Sequence, residues 1–340
     1  MAIAIDAMGG DHAPAEIVRG ALAAARHLTG TLTLTGESER LREELRRLHA
    51  SDSLIAVEHA SQLVTMDESP GAAVRHKPDS SIAVAMRLVA EGRAEAVVTA
   101  GNSGAAMAEA VTKLGTASGT ERPAIASIMP SLGGRVILLD VGANVDCKPR
   151  HLLDFARMGS VYAHRVLGIE RPRVGLLSIG EEAAKGNDVT KAAYPLLAES
   201  GLNFVGNIEG RDAFAGAVDV AVCDGFVGNV GLKLGEGLAD VFSHVLREEL
   251  SRGLAARFGA WVARGALRRF GKRLDYAEYG GALLLGVRGI CVIAHGRSNA
   301  RAIAKAIRLA HESAAHGVVE GLEDSLASTS PTPVALGREG

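Results

Sequence analysis

Five apolar, strand-like runs in this chain end in glycine next to asparagine or an acidic residue. A strand buried on both faces of a parallel sheet reads as such a continuous run rather than as an alternation of apolar and polar residues. The turns that follow these runs are residues 101–104, 142–144, 180–182, 206–207 and 224–229. Ligands of parallel sheets bind beyond the carboxyl ends of the strands, and glycine lets backbone N–H groups approach an anion closely. The pattern therefore predicts one crevice, suited to phosphate, that several of these turns line.

Strand and helix patterns alternate along the chain to about residue 247, which is typical of a βαβ series. The 340 residues, 47% of them hydrophobic, are enough for a large core. We predict an α/β fold with a large, mostly parallel, twisted sheet and helices on both faces. Residues 1–324 are expected to form a single α/β catalytic unit. The serine-, threonine- and proline-rich end, residues 325–340, predicts a disordered tail.

Charge and cysteine usage restrict the possible partners and compartments. A net charge of -2 argues against a general nucleic-acid-binding protein. Cys147, Cys223 and Cys291 are scattered, which favours a reducing compartment, and no Cys-x-x-Cys spacing predicts a metal site. The chain starts with a strand-like run rather than a signal peptide, and no apolar stretch is long enough to span a bilayer. We expect a cytoplasmic protein without a metal or other cofactor.

Several polar residues in the predicted turns could bind an anion. Lysine supplies a point charge, whereas asparagine amides and backbone N–H groups supply direction. The candidates are Gly9, Gly10, Asp11, His12, Asn102, Ser103, Lys185, Asn187 and Asn229. Each turn taken alone is more often an ordinary turn with glycine or asparagine in a left-handed conformation. A purely structural role for each of these residues therefore stays open.

Several common catalytic motifs are absent from the sequence. No Gly-x-Gly-x-x-Gly dinucleotide fingerprint follows a strand, and the chain has neither a Gly-x-x-x-x-Gly-Lys-Ser/Thr phosphate loop nor a Gly-x-Ser-x-Gly elbow. Their absence weakens nicotinamide-linked and nucleotide-hydrolysing functions. Cys147, beside Lys148, could form a thiolate, but a partly buried small residue is the favoured interpretation.

Residues 247–276 interrupt the alternation of strands and helices. Between Leu250 and Leu274 the chain has seven lysines and arginines and no acidic residue, together with its single tryptophan. Basic residues beside an apolar helical face favour an interfacial membrane helix or a site for an acidic protein. The residues expected to make this contact are Leu254, Phe258, Trp261, Val262, Arg264, Arg268 and Arg269. A helical hairpin that packs on a sister subunit is the alternative.

Motifs along residues 1–320 resemble, in order, those of the PlsX family of bacterial acyl-ACP:phosphate acyltransferases. The motifs are Asp6-Ala7-Met8-Gly9-Gly10-Asp11 and the segments 77–81, 139–144, 179–187, 206–212, 223–229, 279–286 and 295–298. Two positions depart from the family pattern. Ser178 replaces the usual asparagine, and Ser103 stands where the family often has threonine.

The resemblance implies a homodimer with an isocitrate/isopropylmalate dehydrogenase-like fold. It implies transfer of a long-chain acyl group from the thioester of acyl carrier protein to inorganic phosphate, which gives acyl phosphate for phospholipid synthesis. It also implies peripheral contact with the inner face of the cell membrane. The membrane acyltransferase that acts downstream is a further candidate partner.

Phosphate is ionised near neutral pH and a thiol is a good leaving group, so the expected mechanism is direct attack of phosphate without an acyl-enzyme. Lys185 and Asn187, with the loop 9–11, are expected to hold phosphate. Asn229, Asn102 or Ser103 is expected to donate to the thioester oxygen, and His12 to orient phosphate or relay a proton. The motif residues Lys77 and Ser80 are expected to bind phosphate or the pantetheine arm of the carrier.

Two other functions remain open at this point. A phosphotransacetylase-like enzyme would use acyl-CoA in place of acyl carrier protein. A non-catalytic scaffold would bind carrier protein or lipid enzymes at the membrane.

Overall fold

The computed structural model describes residues 1–50, 55–274 and 280–327. Tyr279, in the motif 279–286, and residues 328–340 of the predicted tail lie outside the described residues. The strands are β1 (Ala2–Asp6), β2 (Thr31–Gly36), β3 (Ile55–His59), β4 (Ala96–Thr99), β5 (Ala124–Ser131), β6 (Gly134–Leu139), β7 (Val174–Leu177), β8 (Phe204–Ile208), β9 (Val220–Val222), β10 (Ala282–Leu285) and β11 (Ile290–Ile293).

Helices alternate with these strands over most of the chain. They are α1 (Ala15–Ala25), α2 (Ser38–Arg47), α3 (Pro70–His76), α4 (Ser81–Ala90), α5 (Ser103–Lys113), α6 (Pro149–Leu167), α7 (Asp188–Ala198), α8 (Gly210–Ala215), α9 (Gly225–Ser251), α10 (Gly253–Val262), α11 (Arg264–Leu274), α12 (Ala300–Ala315) and α13 (Val318–Ala327). No helix in the described ranges is long and apolar enough to cross a membrane.

The strands form one sheet in the order β3-β2-β1-β4-β11-β10-β5-β6-β9-β7-β8. Side chains that alternate along the strands pack on opposite faces: Ile3 and Ile5 belong to one core cluster, and Ala4 belongs to the other. Helices α1, α6 and α12 cover the first face, whereas α4 and α5 cover the second. The predicted class, a large and mostly parallel sheet with helices on both faces, is confirmed.

Strand direction reverses within this sheet. Strands β1, β2, β3, β4 and β11 are mutually parallel, as are β6, β7, β8 and β9. Strand β10 is antiparallel to both β11 and β5, and β5 forms an antiparallel hairpin with β6. The carboxyl ends of β1, β4 and β11 therefore lie at one edge, the first edge. Those of β6, β7, β8 and β9 lie at the opposite, second edge.

The five turns that are predicted to line one crevice therefore follow strands of both directions. Residues 101–104 follow β4 at the first edge, whereas residues 142–144, 180–182 and 224–229 follow strands that end at the second edge. Residues 206–207 form no turn, because β8 continues through them to Ile208. A continuous apolar run identifies a buried strand but carries no information about its direction.

The chain end and the basic segment differ in detail from the expected boundaries. Residues 325–327 of the predicted tail belong to α13. The basic segment starts within the last residues of α9, because that helix continues to Ser251. Helices α10 and α11 make up the rest of its described part, and the side chains of Leu254, Phe258 and Trp261 are largely exposed there.

Candidate functional site

A buried carboxylate joins the loops that follow β1 and β4. Asp6 ends β1, and its Oδ2 accepts a hydrogen bond from Thr99 Oγ1 at 2.7 Å. Its Oδ1 accepts from the Met8 backbone N–H at 3.3 Å, and Thr99 Oγ1 accepts from the Gly101 N–H at 3.0 Å. Burial raises the pKa of Asp6, although hydrogen bonds from Ser81 and Thr99 oppose the shift. This network fixes the start of both loops.

The loop 9–12 packs closely on its neighbours. A Cβ atom at position 9 would lie 2.5 Å from Asp6 Oδ2 and 2.8 Å from the Gly101 nitrogen, so only glycine fits there. The Asp11 backbone N–H donates to the Gly296 carbonyl at 2.9 Å, which connects this loop to the one after β11. The His12 side chain is exposed at the mouth of the loop.

Three residues predicted to bind substrate at the first edge already form side-chain hydrogen bonds with other groups of the protein. Lys77 Nζ donates to Glu68 Oε1 and to the Leu63 carbonyl, each at 2.6 Å. The Lys77 ammonium is also the main reason that the pKa of Glu68 is lowered to about 2. Ser80 is buried and caps α4 by accepting from the Ala83 N–H. These contacts favour structural roles for Lys77 and Ser80.

Asn102 is the third residue whose side chain is already hydrogen-bonded within the protein. Its Oδ1 caps α5 by accepting from the Ala105 N–H at 3.0 Å. Its Nδ2 donates to carbonyls of the segment 65–68, including that of Glu68 at 2.9 Å. The exposed Ser103 follows it and makes no side-chain hydrogen bond within the described part of the chain. At this edge, Asp11, His12 and Ser103 are the predicted site residues whose side chains are exposed.

A second buried carboxylate organises the loop after β6. Asp140 accepts from the backbone N–H groups of Ile125 at 3.0 Å and Ala143 at 3.1 Å, and from that of Asn144 at 2.6 Å. The Asn144 side-chain amide donates to it at 3.0 Å. Burial raises the pKa of Asp140, although the hydrogen bonds from these donors oppose the shift. Asn144, the last residue of the predicted turn 142–144, is buried as part of this hydrogen-bonded turn.

The loop between β7 and α7 presents Lys185 at the second edge. The Lys185 backbone N–H donates to the Glu182 carbonyl at 2.9 Å. Its side chain is exposed and has no hydrogen bond or ion pair among the described residues. Asn187 is the N-cap of α7, because its Oδ1 accepts from the Thr190 N–H at 2.9 Å. The Lys185 ammonium is therefore available to an anion, whereas the side-chain Oδ1 of Asn187 already accepts a hydrogen bond from Thr190.

Asn229 lies in the first two turns of α9, next to the loop after β6. A Cβ atom at Gly142 would be 3.8 Å from the Cβ of Asn229. The Asn229 side chain is exposed. Asp224 is the N-cap of α9, because its Oδ1 accepts from the Val227 N–H at 2.8 Å. Strands β7 and β9 are neighbours, so Lys185 and Asn229 follow adjacent strands at one edge.

The loop 9–11 and Lys185 belong to different halves of the sheet. These loops follow β1 and β7, which run in opposite directions and are separated by six strands in the sheet order. Seven strand spacings amount to roughly 30 Å. Binding of one phosphate by Lys185, Asn187 and the loop 9–11 together stays a prediction.

Helix α9 links the two edges. Its Lys233 forms a 2.8 Å ion pair with Glu236, one to two turns after Asn229. His295, in the loop after β11, has a lowered pKa, mainly because it is partly buried and next because the positive Lys233 is near. The helix therefore starts at the second edge and carries Lys233 towards the first.

The three thiols are poor nucleophiles. Burial, with the negative charges of Asp140 and Asp224, raises the pKa of Cys147 to about 12. Burial raises the pKa of Cys223 well above its ordinary value and that of Cys291 to about 12. The favoured sequence interpretation, that Cys147 is a partly buried small residue, agrees with its position.

Sequence reasoning missed the groups that shape the loops. Asp6 and Asp140 each end an apolar strand just before a glycine-containing turn, and that position was a visible signal. Glu68 gives no comparable signal. The patterns place Asn207 in a turn, but its partner Glu182 lies 25 residues away and no local pattern indicates it.

A family model described as a fatty acid synthesis protein matches residues 1–321. The chain belongs to this family. Its relatives include the phosphate acyltransferase of Pelotomaculum thermopropionicum, 55% identical over 328 residues that cover 96% of each chain. The phosphate acyltransferase of Moorella thermoacetica is 54% identical over 95% of each chain. The resemblance seen in the motifs is confirmed by these matches.

Solved structures share the fold at low sequence identity. A phosphotransacetylase from Streptococcus pyogenes aligns with a TM-score of 0.65 and 18% identity, over 93% of this chain and 94% of that one. A 4-hydroxythreonine-4-phosphate dehydrogenase from Klebsiella pneumoniae aligns with a TM-score of 0.53 and 16% identity, over 92% and 99% of the two chains. The architecture is thus common to acyl-transfer and dehydrogenase proteins.

Replacing Lys233 with methionine is expected to raise the pKa of His295, because a nearby positive charge is lost while the burial of the ring remains. The pKa should stay below the ordinary histidine value, since burial is the larger cause. Histidine-selective NMR titration of Lys233→Met and of the distant control Lys272→Met measures it. An unchanged His295 midpoint in Lys233→Met would contradict the approach of α9 to the first edge.

Proposed function

We propose that the enzyme transfers a long-chain acyl group from the thioester of acyl carrier protein to inorganic phosphate. Relatives named phosphate acyltransferases match the chain at 50–55% identity along nearly its whole length, which supports acyl transfer to phosphate. The observation that carries the site assignment is Lys185, an exposed lysine without a partner in the described residues, on a loop at the carboxyl end of β7. The product, acyl phosphate, enters phospholipid synthesis.

The reaction requires one displacement at the acyl carbon. A phosphate oxygen attacks the thioester carbonyl, and the carbonyl oxygen gains negative charge in the tetrahedral intermediate. The C–S bond then breaks, and the pantetheine sulfur leaves with the electron pair and takes up a proton. Phosphate is a ready nucleophile and the thiol a good leaving group, so the enzyme mainly orients two anionic reactants and stabilises the oxyanion.

Lys185 and Asn229 suit these two tasks. The Lys185 ammonium offers a positive charge to phosphate, and the N-terminus of α7 that Asn187 caps lies directly after it. The Asn229 amide offers a hydrogen-bond donor to the thioester oxygen. The loop 9–11 is assigned to phosphate together with Lys185 and Asn187. His12 is assigned to orient phosphate or relay a proton, and Asn102 or Ser103 is the alternative donor to the thioester oxygen.

Direct attack without an acyl-enzyme agrees with the state of the thiols. Burial and neighbouring carboxylates disfavour the thiolate of Cys147, the most accessible of the three. A cysteine with a pKa of about 12 is almost entirely protonated at neutral pH. Phosphate is the better nucleophile under these conditions.

The purified enzyme is expected to form acyl phosphate from acyl-ACP and phosphate with a kcat/KM at least about tenfold higher than from acyl-CoA. Intact-protein mass spectrometry during turnover should detect no acylated enzyme. Phosphate-dependent release of the carrier thiol measures both donors in one assay.

Other outcomes of that assay point to the alternative functions. A preference for acyl-CoA would identify a phosphotransacetylase-like enzyme. No phosphate-dependent release with either donor would identify a non-catalytic scaffold, and an acyl-cysteine adduct would exclude direct attack.

Lys185→Ala is expected to lower kcat about 100-fold or more and to raise the KM for phosphate, because the charge that holds and neutralises phosphate is removed. Lys191→Ala is the matched control, since this exposed lysine is on α7 only six residues later. Steady-state kinetics at varied phosphate measures both variants. Near-normal kinetics of Lys185→Ala would remove Lys185 from the mechanism.

We further propose that α9 forms the interface of a homodimer. Apolar side chains, most of them more than half exposed, recur at spacings of three and four along this helix. They are Phe226, Val230, Leu234, Leu238, Val241, Phe242 and Val245. A continuous apolar stripe of this length on a water-exposed helix is typical of an interface between protein chains.

Leu238→Glu is expected to dissociate the dimer, because Leu238 is 69% exposed at the middle of the stripe. Leu254→Glu is the control, since Leu254 is at least as exposed but lies in α10, outside the stripe. Sedimentation velocity should show the wild type and the control at twice the chain mass of 35.2 kDa, and Leu238→Glu near that mass. A dimeric Leu238→Glu variant would contradict this interface.

The α10 surface, formed by Leu254, Phe258, Trp261 and Val262 with Arg264, Arg268 and Arg269, is proposed to contact the membrane. Each of its four apolar side chains is more than 60% exposed. The Phe258 and Trp261 rings stack at 5.9 Å, and the Arg264 guanidinium lies 5.7 Å from the Trp261 ring. Aromatic and basic groups together suit the interface of an anionic bilayer. We therefore place the enzyme peripherally on the cytoplasmic face of the cell membrane, near the membrane acyltransferase that uses its product.

The double variant Phe258→Ala, Trp261→Ala is expected to lose most of its flotation with anionic liposomes, because two interfacial aromatic side chains are removed. Phe214→Ala, a partly exposed phenylalanine of α8, is the control. Both proteins should retain turnover of acyl-ACP in the absence of lipid. Undiminished flotation of the double variant would refute the α10 surface, and acyl carrier protein would become its candidate partner.

A further inference from the structure

Asn207 is a buried polar residue on β8, the last strand in the sheet order. It belongs to β8, pairs with Leu176 of β7 and is only 5% exposed. The other polar residues of its motif have local roles: Glu209 and Asp212 form a capping box at α8, and Arg211 forms an ion pair with Glu209 at 3.1 Å. The side chain of Asn207 instead forms its hydrogen bond with a residue outside this motif.

The Asn207 amide supports the turn that carries Lys185. Its Nδ2 donates to the Glu182 carbonyl at 2.8 Å. The Lys185 backbone N–H donates to the same carbonyl at 2.9 Å. The Glu182 carbonyl oxygen therefore connects the Asn207 side chain of β8 to the backbone of the exposed Lys185. The Asn207 Oδ1 has no partner among the described residues, so the contact with Glu182 is the side chain's hydrogen bond there.

The other side of Lys185 is fixed by Gly186 and Asn187. Gly186 has a φ of +110°, and a Cβ atom there would clash with the Thr190 hydroxyl and lie 2.9 Å from Ser178 Oγ. Residues 181–185 are exposed, so this stretch has few packing contacts of its own. Lys185 thus lies between two anchors, one at Asn207 and one at the start of α7.

We propose that Asn207 is a positioning residue for acyl transfer, which acts by holding the Glu182–Lys185 turn so that the Lys185 ammonium meets phosphate. This inference rests on the proposed function of Lys185. A misplacement of about 1 Å at a reacting group can lower a rate about 100-fold, and a lysine on an untethered turn would be misplaced by at least that much. The hydrogen bond is buried at Asn207, so water does not readily replace it.

Asn207→Asp tests the hydrogen bond with little change in side-chain size, because it replaces the donor with an oxygen that faces the Glu182 carbonyl. We expect kcat with acyl-ACP to fall at least about tenfold and hydrogen exchange to accelerate in residues 182–186. Asn207→Ser, neutral and too short to reach Glu182, should give the same two changes and serves if the aspartate variant does not fold. Asn203→Asp is the matched control, because the Asn203 Nδ2 donates to the Arg171 carbonyl at 3.1 Å from the segment that precedes β8.

A double-mutant cycle separates positioning from general destabilisation. If Asn207 acts through Lys185, adding Asn207→Ser to Lys185→Ala should lower kcat little further, because the positioned group is already absent. Additive losses in the double variant would overturn the inference. So would faster exchange in the turn with unchanged kcat, or reduced kcat with unchanged exchange.

The proposed function can fail separately. Wild-type kinetics of Lys185→Ala would overturn the assignment of Lys185 itself. Inactive Lys185→Ala together with wild-type kinetics and wild-type exchange of folded Asn207→Ser would overturn only the role of Asn207.

Discussion

The β5–β6 hairpin determines where the loops after β6, β7, β8 and β9 open. Ser131 pairs with Gly134, so the chain turns back within two residues, and these four strands run opposite to β1, β2, β3, β4 and β11. The turn is braced from outside, because the Leu132 N–H donates to the Phe214 carbonyl at 2.8 Å. Without this reversal, the loops after β1, β4, β7 and β9 would open at one edge, as a simple doubly wound sheet would have it.

Both edges are built by the same local device. Each half of the sheet has a buried aspartate at the carboxyl end of a strand: Asp6 is the last residue of β1, and Asp140 directly follows β6. Each carboxylate accepts backbone N–H groups of the loop that follows, so the loop has a defined shape without a large hydrophobic contact. Such buried carboxylates are costly unless several donors satisfy them, which is why the loops around them are short and tightly turned.

The sequence predicts the fold class well, because continuous apolar runs and amphipathic helices are local properties. It does not predict the direction of β6 to β9, since a buried strand looks alike in either direction. The same limit applies to side chains: Ser80, Asn102 and Asn187 are as typical of helix N-caps as of ligand sites. Lys185 and Asn229 differ in that their exposed side chains make no hydrogen bond within the described residues, which depends on contacts distant in the chain. Asn207 illustrates the opposite case, a residue in an apolar run whose partner lies 25 positions away.

The length of α9 determines how far Asn229 lies from the end of the helix that leads into α10. The helix has no glycine with positive φ between Asn229 and its end, and Gly253, just beyond it, is the next such position in the described residues. From Asn229 to Ser251 the helical rise amounts to about 33 Å. With α10 in the headgroup layer of a bilayer, a helix that stands upright keeps Asn229 well out in the water. The proposed acyl carrier substrate would then reach Asn229 from the aqueous side without displacing lipid.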